Sequence, residues 1–142
     1  NLYCMKKNMS PDLICDLYVT GGHAVLHDKL TTKQQNKMDS ILNYCKRQNI
    51  KYDAKVEGKY KLLACYDDRF VEVRKEITID IYHIVLENRN TTGNYGIYAN
   101  GVLVESTEEM NVIRTNDNMD IINENEVAKK KMRMNNQSSG RK

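Results

Sequence analysis

Tryptophan, phenylalanine and proline are scarce in this chain, and long apolar runs are absent from it. Its 142 residues contain no tryptophan, one phenylalanine and one proline. A domain of this size can bury a sizeable core, so tyrosine, isoleucine, leucine, valine and methionine must fill it. No apolar run approaches the ~20 residues of a membrane-spanning helix, and no signal peptide is visible. The composition therefore predicts one globular domain without a membrane partner. Because the sequence opens with Asn1, we expect further residues upstream.

The cysteines and the charges exclude two further classes of function. The four cysteines, Cys4, Cys15, Cys45 and Cys65, show neither a C-x-x-C spacing nor a histidine pattern that suits a metal. We expect free thiols rather than disulfides, no metal and no cofactor. The net charge of +3 is small, and its basic residues are interspersed with acidic ones until the last fifteen or so positions. Nucleic-acid binding is therefore not expected.

The hydrophobic pattern predicts a mainly β domain with one inserted helix. Apolar positions at Met38, Ile41, Leu42 and Cys45 follow helical spacing, and Thr32 to Gln35 fits a capping box, which places the helix at about 32–48. Short apolar or alternating runs predict strands at 2–5, 16–20, 24–27, 60–66, 70–73 and 77–86. In the last of these, the apolar residues 82–86 predict a segment buried on both faces.

A hairpin and a change of composition close the domain. Asn100-Gly101 lies between two strand-like halves of 95–104, which favours a two-residue type I′ turn. After Ser106 the chain becomes polar and then basic. We therefore predict a folded domain at 1–106 and a largely disordered tail at 107–142, with a weak helix near 123–134.

The stretch from Asp16 to Leu26 carries the most informative polar residues. An apolar run stops at Gly21-Gly22, is followed by His23 and then resumes. Two strands joined at this bend would hold Thr20 and His23 together, so that a hydroxyl and an imidazole could serve one carbonyl. The alternative is a glycine-rich turn with an ordinary histidine. His27, four residues further on, is interpreted as a surface or satisfied histidine.

Three stretches together resemble a known family. Thr20-Gly21-Gly22-His23 resembles the T-x-x-H motif of the Hint (Hedgehog/intein) superfamily. Residues 81–87 resemble its penultimate strand, and residues 94–104 resemble its final hairpin. The residues of these three stretches are most similar to those of Hint-like domains of large DNA viruses of protists and algae. The resemblance covers about residues 1–106, in the family's order.

The resemblance implies a horseshoe-shaped all-β fold and self-directed acyl chemistry. In that family a Cys or Ser at the start of the domain attacks the preceding carbonyl, and a second nucleophile resolves the resulting thioester or ester. By analogy His23 polarises and protonates the scissile amide nitrogen, while Thr20 holds the bend and donates to the carbonyl region. His83 stands where many members carry an Asp that assists the first acyl shift, and its imidazole is able to transfer protons.

The chain departs from the family pattern at three places. In the family the first nucleophile precedes the T-x-x-H motif by several tens of residues, so Cys4 and Cys15 lie too close to it. The resemblance therefore implies that the domain at 1–106 lacks its N-terminal third. Gly93 replaces a family histidine, and Val104-Glu105-Ser106 replaces the His-Asn-nucleophile ending that full splicing requires. We therefore expect upstream cleavage or thioester formation without splicing, as in the Hedgehog branch, provided that an upstream segment supplies Cys or Ser.

These departures leave two functions open. The first is an autoprocessing domain, at most a single-turnover autoprotease, whose substrate is its own upstream polypeptide and whose co-reactant is a thiol or another nucleophile. The second is an inactive Hint-like module that serves as a structural or interaction domain of a viral protein. For both we expect a monomer in an intracellular setting, the host cytoplasm or the virion.

Overall fold

The computed structural model describes residues 1–74, 79–80, 82–86 and 93–107. Within these ranges the chain is mainly β with one α-helix, which confirms the predicted mainly β character. The elements are, in order, β1 (Leu2–Met5), β2 (Leu17–Thr20), β3 (Ala24–His27), α1 (Thr32–Arg47), β4 (Lys55–Val56), β5 (Lys59–Leu63), β6 (Phe70–Glu72), β7 (Gly96–Ala99) and β8 (Val102–Glu105), with short 3-10 turns at Lys7–Met9 and Ala64–Tyr66.

The strands form two antiparallel sheets. One has the order β2-β1-β6 and the other the order β4-β5-β3-β8-β7. Consecutive strands β2 and β3 belong to different sheets, so the turn between them is a crossing point rather than a hairpin. Strand β3 is central in the larger sheet, with Leu26 opposite Lys61 on one side and Val25 opposite Val104 on the other. The residues at the two ends of β3 therefore lie at opposite ends of this sheet along the strand direction.

The core is built from aliphatic side chains and methionine, as the composition predicts. The largest side chains with almost no exposure are Met5, Leu62, Val25 and Val104, and they come from both sheets. Phe70 is the one phenylalanine, and it is buried in the same core cluster as Met5 and Val25. A single cluster thus fixes the two sheets against each other around the β2–β3 crossing.

The helix begins one residue away from the predicted cap. The capping box uses Thr31, whose hydroxyl accepts from the Gln34 amide at 3.3 Å while the Gln34 side chain accepts from the Thr31 amide at 2.9 Å. Thr31 has the extended backbone that an N-cap needs, whereas Thr32 is already helical. The apolar stripe is confirmed at Met38 and Cys45, which are both buried.

The predicted hairpin is confirmed. Asn100 and Gly101 have φ angles of 51° and 91°, the left-handed values that a type I′ turn requires at both central positions. A Cβ atom at Gly101 would also lie 1.8 Å from the carbonyl oxygen of Asp12. The turn therefore packs closely against the loop that precedes β2, and the Ile14 amide donates to the Asn100 carbonyl at 3.0 Å.

The sequence pattern was wrong about one buried strand. Residues 79–80 and 82–86 are not in strand conformation, and Tyr82 and Ile84 are 56% and 50% exposed. An apolar run predicts burial only if a partner surface covers it, and the described residues provide little cover here. The rest of 77–86 lies outside the described residues, as does the predicted tail beyond Thr107.

The described residues all belong to the first of two compact units, Asn1–Asn111. The second unit, Val112–Lys142, lies outside them. Within the described ranges, no helix combines the length and the apolar character needed to cross a bilayer.

Candidate functional site

The crossing between β2 and β3 is fixed by main-chain hydrogen bonds. The His23 amide donates to the Thr20 carbonyl at 3.0 Å, which closes the turn. The Gly21 amide donates to the Asn1 carbonyl at 3.0 Å, and the Gly21 carbonyl accepts from the Cys65 amide at 3.1 Å. The turn is therefore held between the amino end of the described chain and the 3-10 turn after β5. Thr20 and His23 are brought together through the Thr20 carbonyl.

The two glycines of this turn have different roles. A Cβ atom at Gly21 would lie 2.7 Å from Cε2 of the Tyr3 ring, which is closer than real Cβ contacts. A Cβ atom at Gly22 would meet nothing within 4 Å. Only Gly21 is needed for the close approach of the turn to β1.

His23 lies in a setting that favours its neutral form. Burial holds the pKa of its imidazole below the usual range. The Glu105 carboxylate and a backbone hydrogen bond with Glu105 raise this pKa, whereas the neighbouring His83 imidazole lowers it. The net effect is a lowered pKa, so the ring is neutral at pH 7 and able to accept a proton.

His83 is thus close enough to His23 for their charges to interact. His83 is exposed, and its Nδ1 lies 3.1 Å from the Thr107 hydroxyl oxygen. The Thr107 amide donates in turn to the Ile84 carbonyl at 2.8 Å. These two contacts attach the segment 82–86 to the end of β8, beside the β2–β3 crossing.

A buried ion pair adjoins His23, and sequence reasoning missed it. Lys61 Nζ lies 2.6 Å from Glu105 Oε1, and the two side chains are only 5% and 16% exposed. The Asn94 side-chain amide donates to the same carboxylate oxygen, and the Lys61 ammonium lies 4.8 Å from the centre of the Tyr52 ring. Burial, together with the Glu105 charge, raises the pKa of Tyr52 to about 12. The one sequence signal was a lysine inside the apolar run 60–66.

A second polar cluster lies at the other end of β3. His27 Nε2 is 3.2 Å from Asp67 Oδ2 and 3.0 Å from Arg69 Nη2. Arg69 also donates to Asp67 through Nη2 at 2.6 Å and through Nε at 3.0 Å. Burial alone would raise the pKa of Asp67, but the hydrogen bonds from His27 and Arg69 outweigh it and hold that pKa well below its usual range. His27 is a satisfied histidine, as interpreted from the sequence.

The cysteines are free thiols in different surroundings. Cys4 is buried in β1 between β2 and β6, and Cys15 is exposed. Cys65 adjoins the crossing, 3.4 Å from the position of a Cβ on Gly21, and burial raises the pKa of its thiol. Within the described ranges, no three His, Cys, Asp or Glu side chains are arranged to hold a metal ion.

A cleft lies beside the carboxyl end of α1. It has a volume of about 470 Å³, and its walls include Lys46, Ile50 and Tyr52 but neither His23 nor His83. The polar residues that could carry chemistry therefore concentrate at the crossing and not in this cleft.

Comparison with family models, with curated proteins and with solved structures finds no match to this chain.

Proposed function

We propose that this chain is a Hint-type autoprocessing domain that cleaves, or forms a thioester at, a peptide bond of its own upstream polypeptide. One observation carries the proposal. The imidazole of His23 lies at the turn that binds the Asn1 carbonyl, within reach of the charges of His83 and Glu105. Residues that are far apart in sequence thus converge at one turn.

The chemistry that this arrangement suits is an acyl shift from nitrogen to sulfur or oxygen. The thiol or hydroxyl of an upstream Cys or Ser attacks the preceding carbonyl, the C–S or C–O bond forms and the C–N bond breaks. The proton lost by the nucleophile ends on the leaving nitrogen. A neutral His23 accepts that proton and then donates it to the amine, and His83 is the second imidazole able to assist. A second nucleophile, such as an added thiol, then takes the acyl group.

The second candidate is an inactive Hint-like module with a structural or interaction role in a viral protein. The state of two potential nucleophiles favours it. Cys4 is buried within the sheet β2-β1-β6, and Ser106 is buried with its hydroxyl oxygen bound by the Tyr95 amide at 2.9 Å. Neither of these two groups is free to attack a carbonyl.

The test is to express the coding sequence extended upstream of Asn1 and to follow fragment release by electrophoresis and mass spectrometry. An active domain releases an amino-terminal fragment, faster with added dithiothreitol. Because general acid–base catalysis typically contributes 10²- to 10⁴-fold, we expect His23→Ala to slow release by about 100-fold or more. His27→Gln is the matched control, because His27 lies at the other end of β3 and belongs to the Asp67 cluster. This variant should leave the rate of release within about threefold of that of the unaltered chain.

An extended chain that carries Cys or Ser at the start of the domain and stays intact under thiol overturns the proposal. An upstream sequence without either nucleophile also overturns it, and supports the inactive module instead. Equal rates for His23→Ala and the unaltered chain would remove His23 from the mechanism.

A further inference from the structure

The Lys61–Glu105 ion pair crosses the central strand of the larger sheet. Lys61 is on β5 and Glu105 on β8, and β3 lies between these two strands. Lys61 is opposite Leu26, and Val104 is opposite Val25. Glu105, the next residue along β8, therefore lies near the start of β3, which directly follows His23. The long lysine side chain reaches across β3 to this carboxylate, at 2.6 Å.

Stability alone does not explain why charges are buried here. Removing two charges from water costs several kcal/mol, and apolar side chains of similar volume often stabilise such a position equally well or better. The pair is nevertheless embedded, with Lys61 5% exposed, and Asn94 adds a hydrogen bond to the same carboxylate. A role for this pair is therefore to be sought in what it touches.

His23 is the neighbouring residue on which Glu105 acts. Glu105 forms a backbone hydrogen bond with the His23 imidazole, and its carboxylate is the one acidic group acting on that ring among the described residues. The other charged neighbour acting on it is His83. Glu105 thus links the two groups, through its main chain to the His23 imidazole and through its carboxylate to Lys61.

We infer that Lys61 and Glu105 are positioning residues for His23: the ion pair fixes Glu105 beside the start of β3, next to His23, and offsets the carboxylate charge that the imidazole meets there. The inference rests on the proposed function only in giving this neutral ring a use as proton carrier. Its physical content, the coupling of Lys61 to the charge state of His23, is measurable without any cleavage.

The coupling predicts opposite effects for the two partners. Glu105→Gln removes a negative charge that favours the imidazolium, so the titration midpoint of His23 should fall. Lys61→Met leaves the Glu105 carboxylate without its cation, and His23 becomes its nearest positive partner, so the midpoint should rise. Lys61→Arg keeps the positive charge, so the titration midpoint of His23 should stay at its value in the unaltered chain.

The experiment is a pH titration of the imidazole resonances by NMR on the chain. It has three histidines, so His27→Gln and His83→Gln suffice to assign the signals. Lys59→Met is the matched control. Lys59 lies on the same strand, but it pairs with Asp28 at 2.5 Å rather than with Glu105, and the Asp28 side chain is 82% exposed.

A rise with Lys61→Met, a fall with Glu105→Gln and no change with Lys59→Met establish the coupling. A His23 midpoint that moves equally in Lys61→Met and Lys59→Met overturns it, as does a midpoint that Glu105→Gln leaves unchanged. Should Lys61→Met fail to fold, Lys61→Gln takes its place, because it removes the charge and keeps a hydrogen-bond donor for Glu105. Failure of the proposed function appears separately, as an extended chain that never cleaves while His23 still responds to Lys61.

Discussion

Two histidines at opposite ends of one strand have opposite surroundings. His27, the last residue of β3, is held between a buried carboxylate and a guanidinium, Asp67 and Arg69. His23, just before β3, has burial and a second imidazole against its charged form and only Glu105 in favour of it. The first ring is a structural link between two segments of the chain. Burial favours the neutral form of the second ring, which leaves it able to accept a proton.

The difference arises from what the neighbouring elements supply. The 3-10 turn Ala64–Tyr66 ends beside His27 and places Asp67 there, with Arg69 two residues later, so both charges come from one local segment. At the His23 end the partners come from the distant residues His83 and Glu105. The His27 cluster therefore contributes to stability, whereas the His23 site depends on how the whole sheet assembles.

The largest expected effect comes from breaking the His27 cluster. Asp67→Ala removes the carboxylate and leaves His27 and Arg69 without their partner. Loss of one member of a buried ion pair costs about 3–5 kcal/mol, and because Arg69 is 34% exposed we expect about 3 kcal/mol. The free energy of unfolding in urea measures it.

Asp68→Ala is the control for this prediction. Asp68 is 72% exposed and lies 3.4 Å from Lys33, so its loss should change stability by less than about 0.5 kcal/mol. Equal losses for Asp67→Ala and Asp68→Ala would contradict the structural role of the cluster.

A smaller effect is expected from disturbing the crossing. In Gly21→Ala the new methyl group meets the Tyr3 ring at 2.7 Å, so the turn or the ring must shift, at about 2 kcal/mol. Gly22→Ala meets nothing within 4 Å and should change stability by less than about 1 kcal/mol. Urea unfolding compares the two.

The same pair of variants tests the comparison of the histidines. In Gly21→Ala the imidazole resonance of His23 should move while that of His27 stays in place. If both resonances move equally, the two ends of β3 are not independent.

The smallest expected effect is the pH dependence that His23 contributes to the free energy of unfolding. The pKa of His23 is lowered in the folded state, so the unfolded chain binds more protons below the ordinary histidine value of about 6.5. The free energy of unfolding should therefore fall modestly between pH 7 and pH 5, and His23→Gln should remove this part of the pH dependence. Chemical unfolding at several pH values measures it.

The Asp67 contribution has a different pH window. Because the pKa of Asp67 is lowered on folding, its stabilisation is fully present above the unfolded value of about 3.9. It is lost only as the pH falls further toward the folded value. A difference between the unaltered chain and Asp67→Asn that already narrows between pH 7 and pH 5 would contradict this assignment.

Local chemistry explains which parts of the fold were predictable. The Asn100-Gly101 hairpin and β3 follow from residues within a few positions of each other, and both are confirmed. The helix was found, but its cap was misplaced by one residue, because Thr31 and Thr32 are both suitable caps and only the backbone angles distinguish them. The segment 82–86 was misjudged, because apolar character does not state whether a partner covers it.

The candidate site was predictable only in part. Thr20 and His23 are three positions apart, so a turn at the two glycines brings their main chains together regardless of how the remaining strands pair. His83 was named through a family resemblance, which no comparison tests. Lys61 and Glu105 could not be predicted, since a lysine in an apolar strand gives no indication of the strand on which its partner lies.

The sequence by itself therefore determined a mainly β chain with one helix, a tight hairpin and a glycine turn ending in a histidine. These features depend on backbone preferences and side-chain periodicity over a few residues. Only the tertiary structure decided that β3 is the central strand, because strand order depends on long-range pairings such as Leu26 with Lys61 and Val25 with Val104. That order places one histidine of the strand against Asp67 and Arg69 and the other at the crossing, where burial favours its neutral form.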